Sequence, residues 1–224
     1  YAREIQHEPG GCGLAGVLAA RDGAVSGIVN GIDTAAWNPA TDPHIPRHFS
    51  EHDVAAGKYA ARVALAAKLG HAAPTARPLI AFVSRLATQK GVELVIELIT
   101  RLAGTGRAQF VVLGNGDPSY EEALRRAAAT FPGAVDVVIG FDEGLSHLVQ
   151  AAADIVLVPS LYEPCGLTQL YGLRYGTLPI VRRVGGLADT VVDESAGETG
   201  NGFVFEAADA TLFRDTLLRA TALY

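Results

Sequence analysis

The chain has 224 residues, of which 49% are hydrophobic and 19% charged, so it can bury a core and is neither disordered nor collagen-like. Its 18 basic and 24 acidic residues give a net charge of -6 without any Lys- or Arg-rich segment, which excludes nucleic acid as the expected partner. No apolar run approaches the roughly 20 residues of a membrane span, and the first residues do not resemble a signal peptide. We therefore expect a soluble intracellular protein with no membrane partner.

This length supports one domain with a small appendage. The chain begins with Tyr1 and contains no Met, so we expect a piece of a longer protein. Two cysteines, Cys12 and Cys165, are too few for a disulfide framework or a four-ligand zinc site, and we expect both as reduced thiols.

Glycine and proline interrupt the first 50 residues, around one short apolar stretch at 25–32. We predict a linker with at most one strand there. Three histidines at 44, 48 and 52 have the spacing of metal ligands on a helix, but Pro43 and Pro46 argue against a helix through them. We predict that they are solvated linker residues and that the protein holds no metal. A helix at 55–69 follows, with Ser50 as its cap and Gly70 as its stop.

Short apolar runs and helical patterns then alternate to the end of the chain. The runs are typical of fully buried strands and lie at 79–83, 110–113, 135–139, 155–158 and 178–181. The helical patterns lie at 91–103, 120–130, 145–152, 167–175, 188–192 and from 211 onward. This alternation predicts an α/β fold with a doubly wound parallel (Rossmann-like) sheet. Ligands of such sheets bind at the carboxyl ends of the strands, so we expect the site in the loops after them.

The loop after the first strand has the sequence SRLATQKG and places Arg85 and Lys90 before a helix. Two cations beside the free N–H groups of a helix start favour a phosphate. The alternative is that both are ordinary surface charges.

The next two loops carry weaker signals. LGNGDP at 113–118 lacks the third glycine of a dinucleotide fingerprint, so we predict a tight turn that leads into a helix starting at Pro118. Phe141, after the third strand, either stacks on a flat ring of a ligand or belongs to the core.

The fourth loop, 159–176, is the richest in signals. Glu163 precedes a helix that begins near Gly166, with Thr168 in its first turn. The helix start can bind an anion, while Glu163 can accept hydrogen bonds from the hydroxyls of a sugar next to that anion. The alternative is that Glu163 is only a favourable charge near a helix start.

Four segments together resemble the bacterial glycogen synthases and plant starch synthases, which are retaining glycosyltransferases of the two-domain GT-B fold. They are YAREI at 1–5, IVNGIDTAAWNPATD at 28–42, SRLATQKG at 84–91 and EPCGLTQLYGLRYGTLPIVRRVGGLADTV at 163–191. Other GT-B enzymes usually carry a second Glu eight positions after the first, and Tyr171 at that position is itself the glycogen synthase pattern.

The resemblance implies that this chain is the C-terminal half of a GT-B enzyme. Residues 1–50 would be the end of the N-terminal domain and the interdomain linker, and 51–224 the Rossmann-like nucleotide-sugar-binding domain. The implied reaction transfers glucose from ADP-glucose to the non-reducing end of an α-1,4-glucan with retention, and releases ADP without a cofactor. The N-terminal domain would hold the glucan. The implied location is the bacterial cytoplasm, or the plastid stroma for a plant homologue.

The resemblance also implies roles for particular residues. Arg85 and Lys90 match the pair that binds the diphosphate, and Glu163 matches the acidic residue beside the donor glucose. The other implied donor-site residues are Asn30 near the hinge, Phe141 against adenine, and the turn formed by Cys165, Gly166, Leu167 and Thr168. Trp37 is implied to hold the linker.

Three other interpretations stay open from the sequence. A related GT-B enzyme that uses a UDP- or GDP-sugar would share the phosphate loops. A nicotinamide dehydrogenase would share the sheet, but no complete GxGxxG follows a strand with an acidic residue about 20 positions later. A non-catalytic nucleotide-binding module would bind without transferring.

Overall fold

A computed structural model describes residues 1–21 and 23–223 of the chain. Its centre is a six-stranded, fully parallel sheet with the strand order β3-β2-β1-β4-β5-β6. The strands are β1 Leu79–Val83, β2 Gln109–Gly114, β3 Val135–Ile139, β4 Ile155–Val158, β5 Leu178–Arg182 and β6 Phe203–Phe205. The predicted doubly wound sheet and its five predicted strands are confirmed, and β6 is an additional strand that the sequence analysis missed.

Helices cover both faces of the sheet. They are α1 Ala15–Ala19, α2 Val54–Lys68, α3 Val92–Leu102, α4 Pro118–Thr130, α5 Glu143–Ala152, α6 Thr168–Arg174, α7 Gly185–Thr190 and α8 Ala210–Ala222. No helix within residues 1–21 and 23–223 is long and apolar enough to cross a membrane.

The apolar stretch 25–32 forms no strand in the described part of the chain, which is consistent with the prediction of at most one strand there. One local prediction was wrong. Ser50 does not cap α2, since Asp53 occupies the cap position and its carboxylate accepts hydrogen bonds from the Ser50 backbone and hydroxyl at 2.8 and 3.3 Å.

The sheet order reverses between β1 and β4, which are hydrogen-bonded neighbours. The chain leaves β1 toward β2 on one side and leaves β4 toward β5 on the other. The two loops therefore diverge and leave a crevice at the carboxyl ends of β1 and β4, which is where ligands of such sheets bind.

Apolar packing on both faces makes this edge a rigid support. One face of the sheet packs against α3, α4 and α8, with Ile80, Phe110 and Phe213 fully buried among them. The other face packs against α2 and α5, together with Phe49 and Tyr175. Each large buried side chain contributes roughly 1.5–3 kcal/mol, so the loops after the strands are attached to a stable frame.

An ion pair joins α8 to the strand edge at β6. Arg219 donates to both carboxylate oxygens of Asp193 at 2.8 and 2.7 Å, and Asp193 also accepts from the backbone N–H of Val204 at 2.7 Å. The Arg219 guanidinium, outweighing the opposing effect of burial, holds the pKa of Asp193 well below its usual value.

Replacing Asp193 by Asn is therefore expected to lower the free energy of unfolding at pH 7 by roughly 2 kcal/mol. A carboxyl whose pKa is lowered by folding stabilises the folded protein at pH values above its unfolded pKa of about 4. That contribution is lost as the pH falls from this value toward the folded pKa. Urea unfolding of wild type and Asp193→Asn should thus show a difference that shrinks below about pH 4. Asp215→Asn, in an exposed pair with Arg214 on α8, is the matched control with little expected change. If the loss of unfolding free energy in Asp193→Asn were the same at pH 7 as below about pH 4, the ion pair would not be its cause.

Candidate functional site

The loop after β1 lies against the loop after β4 because Gly91 leaves room for it. Gly91 has φ +69°, and a Cβ there would lie 2.2 Å from the carbonyl oxygen of Pro159. A short 3-10 turn, Thr88–Lys90, precedes this glycine, and α3 starts directly after it. Lys90 is thereby placed at the start of α3, inside the crevice.

Close contacts with neighbouring loops fix the backbone around Glu163. The carbonyl of Glu163 accepts a hydrogen bond from the N–H of Gly186 at 3.0 Å, and a Cβ at Gly185 would lie 2.0 Å from the same oxygen. Gln89 joins the two loops, since its side-chain amide donates to the carbonyl of Tyr162 at 2.9 Å and its carbonyl accepts from the N–H of Leu161 at 2.8 Å.

Lys90 and Glu163 form an ion pair across the crevice. Nζ of Lys90 lies 2.6 Å from Oε2 of Glu163, and the two side chains are 20% and 8% exposed. Oγ of Ser160 donates to the same carboxylate oxygen at 3.0 Å. The pair lines a cavity of about 20 Å³ together with Gly166, Leu167 and Thr168. The structure thus brings together five of the residues that the sequence analysis placed in the site.

The arrangement combines one cation, one carboxylate and two helix starts. No side chain in the described part of the chain caps the start of α3 or of α6, so their first N–H groups can bind an anion. A lysine beside such N–H groups favours a phosphate, while the carboxylate favours hydroxyl donors. This chemistry suits a ligand that carries a phosphate next to a sugar.

Arg85 lies outside this cavity. Its side chain is exposed and donates to the side-chain oxygen of Gln89 at 3.2 Å. It lines a neighbouring groove of about 500 Å³ with Asn115, Gly116 and Asp117, from the loop after β2. The structure therefore places Arg85 next to the Lys90 cavity without bringing the two cations to one point.

The glycines after β2 form the predicted tight turn. A Cβ at Gly116 would lie 2.2 Å from the carbonyl oxygen of Leu86, so the turn packs directly on the loop after β1. Asp117 caps α4 by accepting from the N–H of Ser119 at 2.8 Å, and Pro118 is the first helical residue.

Phe141 and Asn30 do not line the cavity that Lys90 and Glu163 border. Phe141 is 86% exposed, which excludes the core alternative and leaves the ring available for stacking. Asn30 is exposed and its N–H points to Sγ of Cys165 at 3.2 Å. Both Asn30 and Cys165 line a separate cavity of about 590 Å³ that Tyr1 and Gly185 also border. The thiol of Cys165 is free and half-buried.

Sequence analysis missed Gln169, which holds the turn before α6. Its side chain is fully buried, and Nε2 donates to the carbonyls of Cys165 and Gly166 at 3.2 and 2.9 Å and to Oγ1 of Thr190 at 3.1 Å. A glutamine in a helical pattern carries no sign of burial, so no sequence signal marked it.

A buried polar cluster around Asp42 anchors the segment before α2 to the sheet and its helices. Asp42 is fully buried and accepts hydrogen bonds from the Tyr175 hydroxyl at 2.5 Å, Nδ1 of His147 at 2.8 Å and the N–H of His44 at 2.8 Å. Burial opposes ionisation of Asp42, but these hydrogen bonds outweigh it and hold its pKa below the usual value. Burial and the neighbouring Asp42 carboxylate raise the pKa of Tyr175.

Trp37 stacks between two rings of this region. Its ring centroid lies 3.7 Å from that of His147 on one side and 3.7 Å from that of Tyr171 on the other. Tyr171 therefore packs against the segment that precedes α2. All three histidines are exposed, as predicted, although the backbone N–H of His44 donates to Asp42 and Nε2 of His48 lies 3.0 Å from the Asp42 carbonyl oxygen. Across residues 1–21 and 23–223, no group of three His, Cys, Asp or Glu is placed to hold a metal ion.

The site thus consists of a lysine, a carboxylate and open helix starts at the switch point of a doubly wound sheet, where ligands of such folds bind. The profile of one family, the glycosyl transferases group 1, matches residues 67–222, and the chain belongs to that family.

Curated relatives and a solved structure extend the match. The chain is 51% identical to a glycogen synthase of Alkalilimnicola ehrlichii over 226 residues, which cover 99% of this chain and 46% of that protein. A glycogen synthase of Roseobacter denitrificans is 52% identical over 193 residues, covering 86% and 40%. The catalytic domain of starch synthase IV from Arabidopsis thaliana, bound to ADP and acarbose, matches with a TM-score of 0.92 and 39% identity over 100% of this chain and 47% of that chain.

These matches confirm the resemblance to glycogen and starch synthases and the GT-B half-fold that it implied. The chain spans about half the length of the curated relatives that it matches.

Proposed function

We propose that this chain is the donor-binding half of a hexosyltransferase, an ADP-glucose-dependent glycogen synthase. The observation that carries the proposal is the Lys90–Glu163 pair at the β1/β4 switch point, 2.6 Å apart and beside the start of α6. Support comes from the relatives that are named glycogen synthase and from the ADP in the starch synthase IV structure.

In this proposal Lys90 turns from Glu163 to the diphosphate of the donor. The N–H groups at the starts of α3 and α6 add hydrogen bonds to the same phosphates. Arg85 contributes a second cation from the adjoining groove, and Phe141 stacks on the adenine ring. The developing charge on departing ADP is then stabilised by protein cations and N–H groups, without a cofactor.

Glu163 has a separate role at the donor glucose. Its Oε2 is occupied by Lys90 and Ser160, while no residue in the described part of the chain donates to Oε1. Oε1 accepts the sugar hydroxyls and orients the ring as the bond to ADP breaks through an oxocarbenium-like state. Cys165 and Asn30 border the sugar side, and Thr168 contributes its backbone N–H.

The α-1,4-glucan acceptor is assigned to the part of the relatives that this chain does not span. The enzyme extends the non-reducing end of that glucan by one glucose with retention of configuration. The proposed location is the cytoplasm of a bacterium, or the plastid stroma if the source is a plant.

Competition among nucleotides tests the proposal. The purified chain is titrated with ADP, UDP and GDP in a calorimeter, and ADP is expected to bind about tenfold more tightly than the others, as an ADP-glucose donor requires. Equal binding of all three would instead favour a related enzyme with another nucleotide sugar. No binding of any nucleotide would refute the assignment of the crevice.

A further inference from the structure

The hydroxyl of Ser160 is the feature of the crevice that the proposed function does not yet use. Ser160 is fully buried and follows β4 at the bottom of the crevice. Its Oγ donates to Oε2 of Glu163 at 3.0 Å, which is the same oxygen that Lys90 contacts at 2.6 Å.

In the proposed function the Lys90 ammonium turns from Glu163 to the diphosphate. Glu163 then loses its charged partner, and its side chain is only 8% exposed. A buried carboxylate without a donor is costly and free to rotate. In the part of the chain that the structure describes, Ser160 is then the one remaining side-chain donor to Oε2.

The backbone of Ser160 is itself held in place. Nε of Arg182 donates to the Ser160 carbonyl at 3.0 Å, and the same guanidinium donates to the carbonyl of Leu161. Arg182 is the last residue of the neighbouring strand β5, so the strand frame sets the position of the hydroxyl. The Oγ donor therefore stays in place when Lys90 moves.

We infer that Ser160 is a positioning residue for donor recognition. It keeps Oε2 of Glu163 engaged after Lys90 has moved to the phosphates, so that Oε1 stays directed at the glucose hydroxyls. This inference rests on the proposed function and adds that the glucose part of the donor depends on Ser160, whereas the ADP part does not.

The affinities of the chain for ADP and for ADP-glucose distinguish recognition of the nucleotide from recognition of the glucose. In Ser160→Ala, ADP affinity is expected to stay within about twofold of wild type, while ADP-glucose affinity falls about tenfold. Glu163→Gln should show a similar loss of ADP-glucose affinity relative to ADP affinity. Because Ser160 acts through Glu163, the double variant should be no weaker than Glu163→Gln alone.

Two controls keep packing defects apart from positioning. Thr216→Ala removes another buried hydroxyl, which bonds to the Leu212 carbonyl within α8, and should change neither affinity. Ser160→Thr keeps the hydroxyl and should retain the preference for ADP-glucose. Equal weakening of both ligands by Ser160→Ala, additive losses in the double variant, or no change at all would overturn the inference. Failure of the wild-type chain to bind ADP would overturn the proposed function, and the inference with it.

Discussion

The chain by itself is expected to bind ADP but to transfer no glucose from ADP-glucose to glycogen. Lys90, Glu163 and the start of α6 form one wall of a crevice, and the chain covers 46% of the Alkalilimnicola relative. Positioning of an acceptor and exclusion of water would require an opposite wall. Positioning alone can lower a barrier by about 7 kcal/mol or more, so its loss should abolish detectable turnover.

Incorporation of radiolabelled glucose into glycogen measures this directly. The matched control joins the N-terminal half of the Alkalilimnicola protein to this chain, and this chimera is expected to transfer glucose. Turnover of the isolated chain within about tenfold of the full-length relative would show that one domain is enough. ADP binding without transfer, in the chimera as well, would favour a non-catalytic nucleotide-binding module.

Replacing Lys90 by Ala is expected to weaken ADP binding by roughly 1.5–3 kcal/mol, which is about 10- to 150-fold. The variant loses a charge-assisted contact with the diphosphate. It also leaves Glu163, which is 6% exposed, as an unpaired negative charge beside the phosphates. Both effects act in the same direction, so the upper part of the range is expected.

Calorimetric titration with ADP provides the measurement, and the chain offers a matched control. Lys68→Ala removes another lysine, the last residue of α2, whose exposed side chain pairs with Asp142 at the start of α5, and should leave ADP affinity unchanged. Combining Lys90→Ala with Glu163→Gln removes the unpaired carboxylate and should restore part of the lost affinity. Unchanged ADP affinity in Lys90→Ala would remove Lys90 from the site.

Part of the site could be predicted because its residues follow strands. Once β1 and β4 were recognised as buried strands, parallel geometry placed Lys90 and Glu163 at the same edge of the sheet. Their mutual contact was beyond prediction, since it joins residues 73 positions apart and depends on which strands are neighbours. For the same reason sequence analysis could not separate Arg85, which lines the adjoining groove, from the Lys90 cavity.

The sequence by itself determined the sheet and the position of its loops. Parallel strands that are covered on both faces have nearly continuous apolar sequences, so they can be recognised without the structure. Strand β6 has only three residues, which is too short a run to be recognised from sequence. The apolar stretch 25–32 resembles a strand in sequence but pairs with no strand of the sheet.

Only the tertiary structure decided which polar groups are buried and how they are compensated. Asp42 is bound by His147 and Tyr175, which lie 105 and 133 positions away, and Ser160 bonds to Glu163 across the turn that Arg182 holds. A buried polar side chain is stable only beside its partners, and those partners are brought together by packing of the whole domain. Local sequence carries no record of that packing, which is why the donors around Glu163 and Asp42 became visible only in the fold.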